Sequence, residues 1–368
     1  MDKVTKFVEC LVPISHCNLK CSYCYVIQEN RRGTTELPFR CSPEKIGKAF
    51  SPMRWGGLMM VNLCGYGETL MPNEMPDIIY NILLQGHYVN VTNNGTMSKR
   101  FDEIVEFPKE LLSRLCFAFS LHYIELKKTN MLQTFVNNVN KIRKSGCSYL
   151  IQLNLADEYI EVLDEIKSFC SQEFGFLPQV ALTRKEDNNY SIYSALPEEQ
   201  YVAIGRGFNS PLFDFTYKNF RVKRKEFCYA GEWSFKLDLA TGDLKSCYFS
   251  RPHYNIYDNI NEKIKTSIIG SNCRCDYCIN SSHFLSLGVI PEIDCPTYVY
   301  LRDPNNVTYT DCMRAFLDQK LYDNNRTLSC FEKTILNLRS SIINSKFSKY
   351  LIPQNYLKYV LKHIKNGN

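Results

Sequence analysis

The chain has 368 residues, 45% of them hydrophobic, and a formal net charge of +6. This composition fits a folded globular protein of one large domain or two smaller ones and excludes a disordered chain. No run of about 18 apolar residues occurs, which argues against a transmembrane helix. The basic excess lies at the end. From Phe331 onward seven Lys and Arg accompany one acid, Glu332, so no nucleic-acid surface is expected. Met1 to Lys6 leads straight into a strand-like run with no signal-peptide pattern, and a cytoplasmic location is expected.

In chain order, apolar runs predict strands over 6–13, 58–64, 87–92, 114–121, 148–155 and 176–182, the last weakened by Pro178. Helices are predicted over 43–50, 73–85, 99–106, 127–144 and 158–174, with Gly86, Gly146 and Gly175 as stops. Six alternations of about thirty residues argue for parallel βα units. In such folds the chemistry sits on loops after the strands.

The loop after the first strand carries Cys17, Cys21 and Cys24, with three residues in the first gap and two in the second. Such a loop can wrap three sulfurs around an iron–sulfur cluster. Clusters are normally held by four thiolates, so one iron is left open to a small molecule. A structural zinc site wants four ligands, and His16, adjacent to Cys17, is a poor fourth. The chain has 17 cysteines, an odd number, which points to metal ligation plus buried free thiols. Cysteines outside motif spacings, such as Cys64, Cys312 and Cys330, are expected as small core residues.

The Cys17–Cys24 spacing, with Tyr23 before the last cysteine, resembles the cluster loop of radical S-adenosylmethionine (SAM) enzymes. Further loops resemble that family. Gly65-Tyr66-Gly67-Glu68-Thr69 is similar to its GGEP segment, which implies contacts from Gly65, Gly67 and Glu68 to the SAM amino group. Thr92-Asn93-Asn94-Gly95-Thr96 is similar to its TNGT stretch with one extra Asn, leaving open which of Asn93 and Asn94 faces the cofactor. Ser120 and Asn154, on the fourth and fifth strands, are implied SAM contacts. Each of these is, on its own chemistry, equally a turn cap or a core polar group. His122, on the same rim, is a candidate proton donor or acceptor against a structural role.

A second set follows a polar connector over 186–227 that carries one predicted helix. Cys228, thirteen residues, Gly242, four residues and Cys247 read as a hairpin turning at Thr241-Gly242-Asp243. Cys275 and Cys278 complete a four-thiolate set, equally suited to zinc by spacing alone. The pattern resembles the SPASM and twitch extensions of radical SAM enzymes, which implies an auxiliary cluster on Cys228, Cys247, Cys275 and Cys278. Cys273 is an alternative to Cys275, and Cys295 is a spare. Residues from His283 to Arg302 resemble a tail segment of radical SAM proteins of polysaccharide-type biosynthesis. Beyond Phe331, Ile335, Leu338, Ile342 and Ile343, and then Tyr356, Leu357, Val360, Leu361 and Ile364, keep the spacing of two helices around Pro353.

The expected fold is therefore α/β: a partial (β/α)6 TIM-like barrel over 1–185, the connector, a small auxiliary-cluster domain over 228–295 and a basic helical region over 296–368. The resemblance implies a radical SAM oxidoreductase or epimerase with two 4Fe-4S clusters and SAM. It takes a hydrogen atom from a carbohydrate or cyclitol substrate and is fed by an external one-electron reductant of flavodoxin or ferredoxin type. The alternatives are a maturase acting on a ribosomal peptide and a non-catalytic iron–sulfur electron-transfer protein.

Overall fold

The structure, a computed structural model, describes residues 1–33, 37–186, 190–271, 273, 275 and 277–344. Six strands form a parallel series: β1 (Lys6–Val12), β2 (Met59–Gly65), β3 (Tyr88–Asn93), β4 (Leu115–Ser120), β5 (Ser148–Leu155) and β6 (Gln179–Leu182). Three more, β7 (Ser234–Asp238), β8 (Asp243–Lys245) and β9 (Pro252–Asn255), join the other edge of β1. The order is β6-β5-β4-β3-β2-β1-β7-β8-β9, one open nine-stranded sheet. β7 is parallel to β1, and β7–β8–β9 run antiparallel among themselves. The hairpin of the second cysteine set thus continues the barrel sheet, with Gly242 in its turn.

Crossover helices connect the parallel strands: α1 (Pro43–Ala49), α2 (Met75–Leu84), α3 (Ser98–Ile104), α4 (Leu132–Ser145) and α5 (Leu163–Phe174). Ser42 caps α1 by accepting from Lys45 N, with Pro43 in the first turn. Gly146 and Gly175 end α4 and α5 in the left-handed region, φ +86° and +85°.

Several predicted elements are corrected. The helix over 127–144 is two helices, Tyr123–Lys128 and α4, because Asn130 adopts φ +56°, which Asn tolerates better than most residues. The helix over 158–174 opens with a tighter 3₁₀ turn, Asp157–Val162. β6 starts only at Gln179, since Pro178 has no N–H to give the ladder. The connector holds two helices, α6 (Glu198–Arg206) and α7 (Pro211–Lys218), the second capped by Ser210. In α8 (Cys330–Asn344), Ile335 and Leu338 are 48% and 60% exposed, and Leu336 packs inward instead. Cys330 is exposed rather than a core residue. The helix expected after Pro353 lies outside the described residues.

Strand alternation splits the core into two. Val8, Val61, Val89, Phe117 and Ile151 pack under the crossover helices. Phe7, Met60, Tyr88, Cys116 and Leu150 form the opposite, concave face. The C-terminal segment plugs its lower part: Phe316 stacks on Tyr88 at 3.8 Å, and His283 stacks on Phe7 at 5.4 Å. No described helix is long and apolar enough to cross a membrane.

Candidate active site

Above that plug, the concave face is left open as a cavity of about 460 Å³. Its roof is the cysteine loop, which follows the C-terminal end of β1, and Cys17, Cys21 and Cys24 all line it. The loop is held from three sides. Glu125 Oε1 accepts from Lys20 N at 2.9 Å, Arg32 Nη2 donates to Cys17 O at 2.6 Å, and Asn18 Nδ2 donates to Thr96 Oγ1 at 2.8 Å. A fourth hold is backbone contact with the next loop. Gly67 N donates to Ile14 O at 2.7 Å and Glu68 N to His16 O at 2.9 Å. A Cβ on Gly67 would stand 1.9 Å from His16 O, so the approach requires glycine.

The thiols repel charge. Burial, with the Glu68 carboxylate next, pushes Cys17 up to about 11. Burial and then the neighbouring Cys17 and Cys24 raise Cys21 as well. Several thiolates become tolerable together only around a strongly cationic group, which is the chemistry of an iron or zinc donor set. Among the described residues, no three Cys, His, Asp or Glu side chains stand close enough to share one ion. Four thiolates on one zinc lie about 2.3 Å from the metal and hence close to one another.

The remaining predicted residues gather on the same cavity: Tyr23, Gly65, Gly67, Glu68, Asn93 and Asn94, and also Ser120, His122 and Asn154. Glu68, 2% exposed, ties two loops together. It accepts from Leu70 N at 3.0 Å and from Asn94 N at 2.8 Å. Burial nevertheless raises its pKa to about 7. A carboxylate has lone pairs beyond these two bonds, free for an ammonium. The two asparagines divide their roles. Asn94 Nδ2 donates to Asn18 Oδ1 at 2.8 Å and lies 3.6 Å from Cys17 Sγ, whereas Asn93 folds back on the Val91 carbonyl and Gly95 N–H. Asn94 is therefore the one turned toward the thiols. His122 Nδ1 is 2.6 Å from the Tyr23 hydroxyl, which is 2.7 Å from that of Tyr159. Burial lowers His122 to about 4, so the imidazole is neutral at pH 7.

The second cysteine set reaches the same cavity, since Cys278 lines it. Cys228 sits at an isolated antiparallel bridge to Gly270, and Cys247 follows β8. Cys247 and Cys273 raise the Cys228 pKa behind the larger effect of burial, so these sulfurs lie within electrostatic reach of one another. Cys273 and Cys275 share a hydrogen bond that lowers the first and raises the second. Cys295 packs in the apolar core, and the charged groups acting on it are Lys320, Arg224, Asp294 and Lys218.

Sequence reading passed over a polar row inside the barrel. Asn62 Nδ2 donates to Glu9 Oε2 at 2.9 Å, and Asn90 Nδ2 donates to Asn62 Oδ1 at 2.5 Å. Cys64, expected in the core, donates to Glu9 Oε1 at 3.1 Å and lines the cavity. The signal was available: a polar residue at an inward alternate position in KFVECLV, MMVNLCG and YVNVTN.

No protein-family model and no curated protein sequence matches the chain significantly. The architecture is the expected partial, open parallel α/β barrel. Among solved structures sharing it is Streptococcus suis SuiB bound to S-adenosylmethionine, with a TM-score of 0.50 and 12% identity over 71% of this chain. The chain covers 65% of SuiB, slightly less than two thirds of its length. Native anSMEcpe with bound AdoMet and Cp18Cys peptide matches with a TM-score of 0.50 and 14% identity, over 92% of this chain and 100% of that one. The same protein with AdoMet and Kp18Cys peptide gives 0.50 and 12% over the same shares. Identities this low establish a common fold.

Proposed function

We propose that the chain is a radical SAM enzyme that modifies a peptide. The observation that carries this reading is the single cavity lined by Cys17, Cys21 and Cys24 on one side and by Cys278 of the second set on another. When bound, a 4Fe-4S cluster with SAM supplies a 5′-deoxyadenosyl radical able to take a hydrogen atom from an unactivated C–H bond.

The residues divide the remaining work. Cys17, Cys21 and Cys24 would hold the first cluster. Glu68 and Asn94 lie beside these thiols, where the ammonium and carboxylate of a methionine group would bind, with Gly65, Gly67 and Asn93 shaping the backbone and Tyr23 buttressing the loop. Ser120 and Asn154 face the cavity from β4 and β5 and orient the nucleoside. His122, fixed by Tyr23, holds or moves a proton at the substrate side. Cys228, Cys247, Cys278 and one of Cys275 and Cys273 would hold a second cluster on the same chamber, which would supply a one-electron acceptor there. The walls orient the substrate, and the cofactor would carry the difficult step. A flavodoxin- or ferredoxin-type protein supplies the electron.

The peptide reading stands ahead of the carbohydrate or cyclitol one because structures of this fold at TM-score 0.50 carry bound peptides. The test is anaerobic reconstitution followed by iron and sulfide analysis and assay of 5′-deoxyadenosine after addition of SAM and dithionite. About eight irons per chain and formation of 5′-deoxyadenosine are expected for two four-iron clusters. Iron without SAM cleavage returns the protein to the electron-transfer class, and stoichiometric zinc removes the proposal.

A further inference from the structure

The cavity floor carries a cation without a counter-ion. Arg302, 5% exposed, ends the helix Tyr298–Arg302 and lines the cavity. Its Nη2 donates to Ser282 O at 2.8 Å and lies 3.5 Å from His283 Nδ1. The guanidinium lies 3.6 Å from the centre of the Tyr298 ring, and Nη1 has no hydrogen-bond partner. The neighbouring carboxylate, Asp303, is occupied: it pairs with Arg314 and accepts from the N–H groups of Val307, Thr308 and Tyr309. No described carboxylate forms an ion pair with Arg302.

A guanidinium taken out of water with one carbonyl and one aromatic face for company is incompletely compensated. Its planar fork matches an oxyanion, and Arg is the usual residue for that task. His283, which burial and then Arg302 hold neutral, adds no second charge. The position is distinct from the roof. His283 stacks on Phe7 near the start of β1, whereas the thiols follow Val12 at its end. Five residues of strand separate these levels by about 16 Å. A group held by Arg302 is therefore at the opposite end of the chamber from the cysteine loop and Glu68.

We propose that Arg302 is an oxyanion-binding residue at the cavity floor, so that the substrate carries a carboxylate or a phosphate which sets its depth in the chamber. This rests on the reading of the cavity as a substrate chamber. On a peptide substrate the group is an acidic side chain or a chain-terminal carboxylate.

The test uses the reconstituted full chain with two probes, inorganic phosphate and acetate, at constant ionic strength in chloride. Wild type is expected to show saturable thermal stabilisation by at least one, which also tells phosphate from carboxylate. Arg302→Gln, which keeps a donor for Ser282 O, is expected to weaken the apparent affinity about tenfold or more, and Arg302→Lys to weaken it less. Equal responses in wild type and Arg302→Gln, or none in wild type beyond chloride, overturn the inference. Should the variants not fold, wild-type crystals soaked in selenate decide: an anomalous peak at the Arg302 guanidinium supports it, and its absence there overturns it. Binding is read without turnover. SAM cleavage by a wild type with no anion site would therefore sink this inference alone, and anion binding without SAM cleavage would sink the proposed function alone.

Discussion

The two cysteine sets are built in opposite ways. The first compresses three thiols into one short loop, and the fold's task is to pin that loop from outside through Asn18, Glu125, Arg32 and the Gly67 backbone. The second collects its sulfurs from three separated places: beside the Gly270 bridge, after β8, and along the run that ends at Cys278. The first has as many sulfurs as an open cluster needs. The second has five within reach for four positions, and Cys273 and Cys275 share a hydrogen bond. Local spacing thus defines a ligand set only where the loop is the whole site; elsewhere the sheet decides.

Breaking each set separately is the sharpest use of that contrast. Cys24→Ala is expected to abolish 5′-deoxyadenosine formation and to remove about four of eight irons. Cys228→Ala is expected to remove a similar amount of iron but to leave SAM cleavage measurable in the absence of substrate, while substrate turnover collapses. Loss of cleavage in both would mean that the sets are not independent.

Gly67→Ala tests the pinning. Its Cβ cannot coexist with His16 O, so the loop must shift, at a cost of about 2 kcal/mol. Thermal melting should fall, and iron incorporation at the first set should fall with it. An unchanged melting temperature would contradict the packing described.

Glu68 gives a pH signature. Its folded pKa of about 7 lies above the ordinary 4.5 of a glutamate, so between these pH values the folded state binds more protons than the unfolded one. Its contribution to stability therefore declines as pH rises from 4.5 to 7, by about 3 kcal/mol in all. SAM affinity is expected to move the other way, rising through pH 7 as the carboxylate becomes charged. Glu68→Gln should flatten both profiles, and calorimetric titration of SAM across pH 6–8 checks the second.

The smallest effect is expected from Tyr23→Phe. It removes hydroxyl bonds to His122 and Tyr159 and should lower stability by about 1 kcal/mol. A larger loss of turnover than of stability would mark His122 as more than a packed residue.

Much of the fold was legible because the strands are apolar runs with clear stops. The boundaries that failed did so for local reasons: Asn130 turning in the left-handed region, and Pro178 withholding a donor. The rim residues were legible from motif spacing. Glu9, Asn62 and Asn90 were visible as single polar residues within otherwise apolar runs, but their coherence as one row depends on strand register. Arg302 was visible as a residue but not as a cavity wall, since its place depends on the plug packing against Phe7 and Tyr88.

The central claim is one chamber in which SAM meets the first of two clusters. Electron paramagnetic resonance of dithionite-reduced, reconstituted protein tests it most directly, with and without SAM, in wild type and in Cys228→Ala. The account predicts that SAM alters the signal of one cluster, and that this response survives in the variant. Signals indifferent to SAM in both proteins would contradict it.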